Sequence, residues 1–226
     1  QANISWLDDL TALPKLPLLF FANELLDTFA TRRFIRTSDG WQEQAVTEKD
    51  NVLTLISQPT DEAFLNDPAY AQAPVGACAE TSPDSRVFMQ QLAAHIAAYG
   101  GAVLLIDYGY EGPLAADTVQ AIRAKKPAPL LSDPGEADIT AYVDFGALRG
   151  EAEKAGLKVY PLRLQRDFLL HCGILHRVKL LKDKARPEQL AKIELDLERL
   201  IAGDQMGVLF KVFCAAHPSL PPLLGF

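Results

Sequence analysis

The chain has 226 residues, 49% apolar and 23% charged, with a net charge of −7, enough for one domain with a sizeable core and without the clustered Lys and Arg that a nucleic-acid partner needs. Cys78, Cys172 and Cys214 and the four histidines His95, His171, His176 and His217 match no metal-ligand spacing, so no metal site is expected and the thiols read as reduced. No apolar run reaches the ~20 residues of a membrane helix, and no signal peptide is present, so no membrane insertion is expected.

Residues 3–6 (NISW) and 16–24 (LPLLFFANE) read as two strands already inside a sheet. The run LPLLFF is continuously apolar, which predicts a central parallel strand covered on both faces. Opening mid-sheet predicts further sheet upstream of Gln1. Residues 33–36 and 41–46 flank Ser38-Asp39-Gly40 and predict a hairpin, with a third strand over 51–57 and a β insertion over about 33–57. Residues 58–84, rich in Pro, Ala and Asp, read as loop with one helical turn. A helix over 85–99 presents Phe88, Leu92, Ile96 and Tyr99 on one face and stops at Gly100-Gly101, with His95 as a satisfied surface histidine.

AVLLIDYG then reads as a second buried strand with a polar exit at Asp107. Residues 111–135 hold four prolines and two glycines and read as irregular. Residues 138–145 read as a helix entry, 145–154 as helix, 157–164 as strand and 167–175 as helix. Pro187 suits a first helical position, and Leu190, Ile193, Leu197 and Leu200 form an apolar stripe that ends at Gly203. LFKVFCAA is the closing strand. Strands alternating with helices predict one α/β domain with a largely parallel sheet, in which ligands bind beyond the carboxyl ends of the strands.

Two strands leave polar groups at that edge. FFANELLD sets Asn23, Glu24 and Asp27 within five positions. Such a set can hold a polar ligand or grip a guanidinium in a two-pronged contact; it can also cap the next helix. IDYGYEG places Asp107 and Tyr108 before a glycine-containing turn, where turn chemistry is the competing reading. PGEADITAYVDF supplies Asp138, Thr140, Tyr142 and Asp144, which also read as a capped helix start. No GxSxG, P-loop or GxGxxG supports a hydrolase, a kinase or a dinucleotide enzyme.

NISWLDDL, FFANELLDTFATRRF, GGAVLLIDYGY, DTVQAIRAKK, PGEADITAYVDFGAL, LQRDFLLHCGI, and MGVLFKVFCAAHP with a PLLGF ending follow in order from residue 3 to 226. In order and spacing these blocks resemble the MidA-type methyltransferases. That family includes the mitochondrial arginine methyltransferase needed for respiratory complex I assembly. The resemblance implies a class I, Rossmann-like methyltransferase fold with an inserted β-hairpin and helical elements. It implies S-adenosylmethionine as cofactor and an arginine side chain of a partner protein, a complex I subunit being the candidate, as substrate. It places the protein in the bacterial cytoplasm, or in the mitochondrial matrix of a eukaryote.

The family's glycine-rich E-x-G-x-G loop precedes the strand with the ISW block, and this chain contains no such loop. A chain without it is expected to bind cofactor weakly and to be inactive alone. In the family reading Glu24 and Asp27 hold the guanidinium, Asn23 lies beside the methionine end of the cofactor, and Trp6 approaches the adenine. Asp107 and Tyr108 shape the opposite wall, completing the catalytic set. Gln120, Asp138, Thr140 and Asp144 are further substrate contacts. The chain departs from the family at Leu25-Leu26, at Phe29 to Arg33, at Tyr142 where a His is usual, and at Arg166 where a Gly is usual; the Arg33 change is expected to alter which partner is accepted. A non-catalytic module that holds a partner during assembly is the rival reading. A dehydrogenase has no support, since no Tyr-x-x-x-Lys is present.

Overall fold

The computed structural model describes residues 4–132 and 134–226. In chain order the elements are β1 (Leu18–Asn23), β2 (Arg32–Thr37), β3 (Gly40–Lys49), β4 (Val52–Pro59), α1 (Pro68–Ala71), β5 (Cys78–Thr81), α2 (Pro83–Tyr99) and β6 (Gly101–Tyr110). Then come β7 (Gln120–Arg123), β8 (Lys126–Ala128), β9 (Asp138–Thr140), β10 (Val143–Asp144), α3 (Phe145–Lys154), β11 (Lys158–Val159) and β12 (Arg163–Leu164). Last are α4 (Gln165–His171), α5 (Ile174–Lys182), α6 (Pro187–Ile201), α7 (Met206–Leu209) and β13 (Phe210–Ala216). Short 3-10 turns lie at Leu10–Ala12, Leu26–Thr28 and Ala63–Asn66. This is an α/β fold with mixed sheets. No helix among the described residues is long and apolar enough to cross a membrane.

The chain forms two compact units. The first comprises Gln1–Asn23, Arg86–Tyr108 and Ala147–Phe226. Its sheet has the order β1-β6-β13-β11, with β12 also on β13. β1 runs parallel to β6, whereas β13 is antiparallel to it, so the sheet is mixed rather than largely parallel. Met89, Leu92, Ala93 and Ile96 of α2, Val103 and Leu105 of β6, Leu148 of α3, and Val212 and Phe213 of β13 are fully buried. Each such large side chain contributes about 1.5–3 kcal/mol by leaving water. The helix face read as Phe88, Leu92, Ile96 and Tyr99 thus shifts toward Met89 and Ala93, and Tyr99 stays partly exposed. His95 sits 3.1 Å from the Leu16 carbonyl oxygen and stacks on Tyr99.

β1 starts at Leu18 and, among the described residues, ends the strand order; its Leu19 and Phe21 are 82% and 63% exposed. Three expectations for this unit change. Residues 4–6 form no strand, and the Asn3 position lies outside the described residues. The strand read over 157–164 is two short pieces, β11 and β12, either side of Tyr160-Pro161-Leu162; Pro161 has no amide to give to a ladder. The helix read over 167–175 breaks at Gly173, which has φ 85°, giving α4 and α5.

At Gly101 (φ 114°) an added Cβ would stand 1.9 Å from the Leu18 carbonyl oxygen, so only glycine lets β6 open beside β1.

The second unit comprises Glu24–Ser85 and Gly109–Gly146. Its four-stranded sheet, β4-β3-β2-β5, is antiparallel throughout. The expected hairpin joins β2 to β3 at Ser38-Asp39, and the third strand is β4. Phe34, Leu65, Tyr70 and Ala79 form its buried cluster, with Trp41 and Phe64 packed against them. A three-stranded sheet, β8-β7-β9, occupies residues read as irregular, and residues 138–144 form β9 and β10 in place of a helix entry.

The glycine of IDYGY is not in a turn. β6 runs on through Gly109 and Tyr110, which pair in parallel with Val143 and Asp144 of β10. A Cβ at Gly109 would lie 2.1 Å from the Val143 carbonyl oxygen, so the glycine permits that approach.

Candidate active site

In the first unit, Asn23 ends β1 opposite Ile106 of the parallel strand β6, and Asp107 follows Ile106. Asn23 therefore stands at the carboxyl end of β1, where ligands of such sheets bind, whereas Asp107 is not the polar exit of β6: the strand continues to Tyr110, and Asp107 pairs with Lys211 of β13. Asp107 is 2% exposed and its Oδ1 accepts the Tyr108 amide at 3.0 Å. The Tyr108 ring meets Phe210 edge-on at 5.4 Å, which fixes its orientation. Trp6 is 93% exposed and belongs to no strand or helix.

The second unit opens with Glu24, whose φ is 51°. A side chain in the left-handed region costs roughly 1–2 kcal/mol, and such conformations cluster at functional sites. The chain then enters the 3-10 turn Leu26–Thr28, which contains Asp27, 5% exposed. Its cap is Leu25, with no side-chain capping bond. Thr28 Oγ1 donates to the Leu25 carbonyl oxygen at 2.7 Å and closes it.

The Asp27 main-chain oxygen accepts the Ala141 amide at 3.0 Å. That bond brings the acidic turn against the end of β9. On the small sheet Gln120 pairs with Thr140, and Ile122 with Asp138. Paired residues share a face, so Gln120, Thr140 and Asp138 line up together. Thr140 Oγ1 is buried and has no hydrogen-bond partner among the described residues. Such an orphan group commonly waits for water or a ligand. Asp144 lies in β10 opposite Tyr110. Burial, foremost, and then the Asp144 charge push the Tyr110 phenol up.

Arg33 is paired within its own unit. Its Nε donates to Asp117 Oδ1 at 3.1 Å, and its other nitrogens bond Asp117 and Gln44. The sequence reading missed two residues, Glu80 and Thr118, which organise the small sheet. Both lie in stretches read as irregular, and no local pattern in the sequence marks them.

A family of S-adenosyl-L-methionine-dependent methyltransferases has a model that matches residues 1–162, and the chain belongs to that family. It is 32% identical over 232 residues to the mitochondrial protein arginine methyltransferase NDUFAF7 of Xenopus tropicalis, covering 99% of this chain and 53% of that protein. It is 34% identical over 219 residues to the mouse protein of the same name, covering 93% of this chain and 48% of that one. The chain thus spans about half the length of the curated relatives it matches. A COG1565 superfamily member from Burkholderia thailandensis, solved bound to S-adenosyl-homocysteine, superposes with a TM-score of 0.83 at 25% identity, over 98% of this chain and 58% of that one. A native crystal structure of a COG1565 protein from the same organism gives 0.84 at 25% identity, over 98% of this chain and 60% of that one.

The cofactor of the family is S-adenosylmethionine. Asn23, at the end of β1, offers an amide carbonyl and an NH2 group, chemistry suited to the polar end of such a ligand.

Proposed function

We propose that the full polypeptide transfers a methyl group from S-adenosylmethionine to a guanidinium nitrogen of a partner protein. Following the MidA-type resemblance, the partner belongs to respiratory complex I assembly, and the setting is the mitochondrial matrix or the bacterial cytoplasm. This chain contributes part of a class I methyltransferase domain, with the β insertion near residues 33–57.

The cofactor supplies the methyl group; this chain's residues align the acceptor. Asn23 would hold the cofactor's amino-acid end. Glu24 and Asp27 would pair with the guanidinium, holding it flat and keeping electron density on the attacking nitrogen. Asp107 and Tyr108 would wall the opposite side. Gln120, Asp138, Thr140 and Asp144 would contact the substrate. Trp6, at the exposed start, is the adenine candidate.

The observation that supports this reading is the left-handed Glu24 at the exit of β1, followed by the buried carboxylate of Asp27. Glu24→Gln in the full polypeptide tests it. Loss of a charge-assisted pair is worth about 1.5–3 kcal/mol, so label transfer from S-adenosylmethionine to arginine should fall roughly ten- to more than a hundredfold, with the melting temperature unchanged. An unchanged transfer rate removes Glu24 from the site. A wild type that does not saturate with S-adenosylmethionine returns the protein to a binding role.

A further inference from the structure

A second set of polar groups lies in the same unit, outside the residues assigned to the guanidinium. Glu80, on β5, is 5% exposed. Its Oε1 accepts the Thr118 amide at 2.9 Å and the Val119 amide at 3.1 Å, and its Oε2 accepts the Thr118 hydroxyl. The Thr118 oxygen in turn accepts the Tyr142 amide at 3.0 Å. A carboxylate can only accept, so the chain of donors has one direction: Tyr142 amide to Thr118 hydroxyl to Glu80.

The register gives this chain of bonds its meaning. Gln120 pairs with Thr140, which puts Thr118 opposite Tyr142, one ladder step further along. There the threonine side chain takes the place of a main-chain acceptor and extends the small sheet. Arg33 is the partner of Glu80 across β2 and β5, and it holds Asp117. Two adjacent side chains of one sheet therefore grip two consecutive residues at the entry to β7. Cys78 Sγ and the oxygens of Glu80 and Asp117 lie within 4.8 Å of one another. Arg33 already supplies the cation, and Glu80 already accepts from the Thr118 amide and hydroxyl, the Val119 amide and the Cys78 thiol, so this cluster is a clamp rather than a metal site.

We infer that Glu80 is a positioning residue for the acceptor: through Thr118 it fixes the Gln120–Thr140 rung and the Tyr142 main chain, and thereby the face on which the guanidinium is presented. The inference rests on the methyl-transfer reading above. The clamp bears on the acceptor and not on the cofactor.

The test uses the full polypeptide with three variants, Thr118→Val, Thr118→Ser and Glu80→Gln. The acceptor probe is a peptide library with one central arginine in randomised flanks. Thr118→Val keeps the shape and removes the hydroxyl. Its apparent KM for the library should rise at least about tenfold, while kcat and S-adenosylmethionine affinity stay within about threefold. Exchange of the Tyr142 amide, followed by mass spectrometry, should quicken by a similar factor. Thr118→Ser restores the hydroxyl and should restore both readings. Should Thr118→Val fail to fold, Glu80→Gln, which keeps an acceptor for the two amides, carries the same expectation for KM. An active wild type whose folded variants keep their KM overturns the inference alone, as does a serine variant that rescues neither reading. A wild type that transfers no methyl to arginine overturns the methyl-transfer reading and the inference with it.

Discussion

The main-chain oxygen of Asp27 accepts the Ala141 amide at 3.0 Å, so the acidic turn after β1 and the end of β9 hold one another at a fixed distance. The Asp27 side chain is held inside the unit, 5% exposed. Asp27→Asn in the full polypeptide should lower methyl transfer about tenfold or more while the protein stays folded. A loss of activity matched by a loss of melting temperature would assign Asp27 to the fold instead.

Glu24 gives the complementary case. With φ at 51°, glycine fits this position better than glutamate does. Glu24→Gly should add about 1 kcal/mol, or roughly 2–4 °C in melting temperature, and remove activity. A variant that melts lower than wild type would show that the left-handed backbone is not strained. Gain in stability with loss of function at one position is the signature of strain kept for a site.

The thiols set an alkaline limit. Burial pushes Cys78 up to about 11 and Cys214 up to about 12; unfolded, both titrate near 8.5. Between those values the native state binds more protons than the unfolded one, so stability falls as pH rises. The contribution is whole below about pH 8.5 and drains at up to about 1.4 kcal/mol per pH unit per thiol, until the folded values are passed. Urea titrations at pH 8 and 10 should show this slope, and it should flatten in Cys78→Ala and Cys214→Ala. At pH 8 an alkylating reagent should label the exposed Cys172 first, because thiolate is the reactive form and about one Cys78 in a thousand carries it.

Elements with their own period or punctuation were legible in the sequence. α2 has a 3.6-residue stripe and a double-glycine stop, α6 opens on Pro187, and β2 and β3 meet at Ser38-Asp39-Gly40. The β7–β8 hairpin was not legible because its turn is Ala124-Lys125, with φ 50° and 63°. Neither residue is a turn former, so the left-handed backbone that this two-residue hairpin loop needs is not announced by its sequence. β10 is two residues long and exists only because Gly109 admits it. At the site, Asn23, Glu24 and Asp27 stood out because they interrupt an apolar run. Glu80 and Thr118 did not, because their partnership joins residues 38 positions apart and leaves no local pattern.

Gly101 and Gly109 carry a constraint of another kind. At each, a β-carbon would fall within 2.1 Å of a carbonyl oxygen on the neighbouring strand. Every codon change that alters a glycine adds that carbon, so neither position has a neutral neighbour in sequence space. The same atom, supplied by alanine or by tryptophan, is refused before the rest of the side chain matters. A saturation library of this chain fused to a folding reporter should therefore lose all substitutions at both positions alike, with alanine no better tolerated than the bulky residues. At an ordinary buried position such as Leu148, tolerance should instead grade with size.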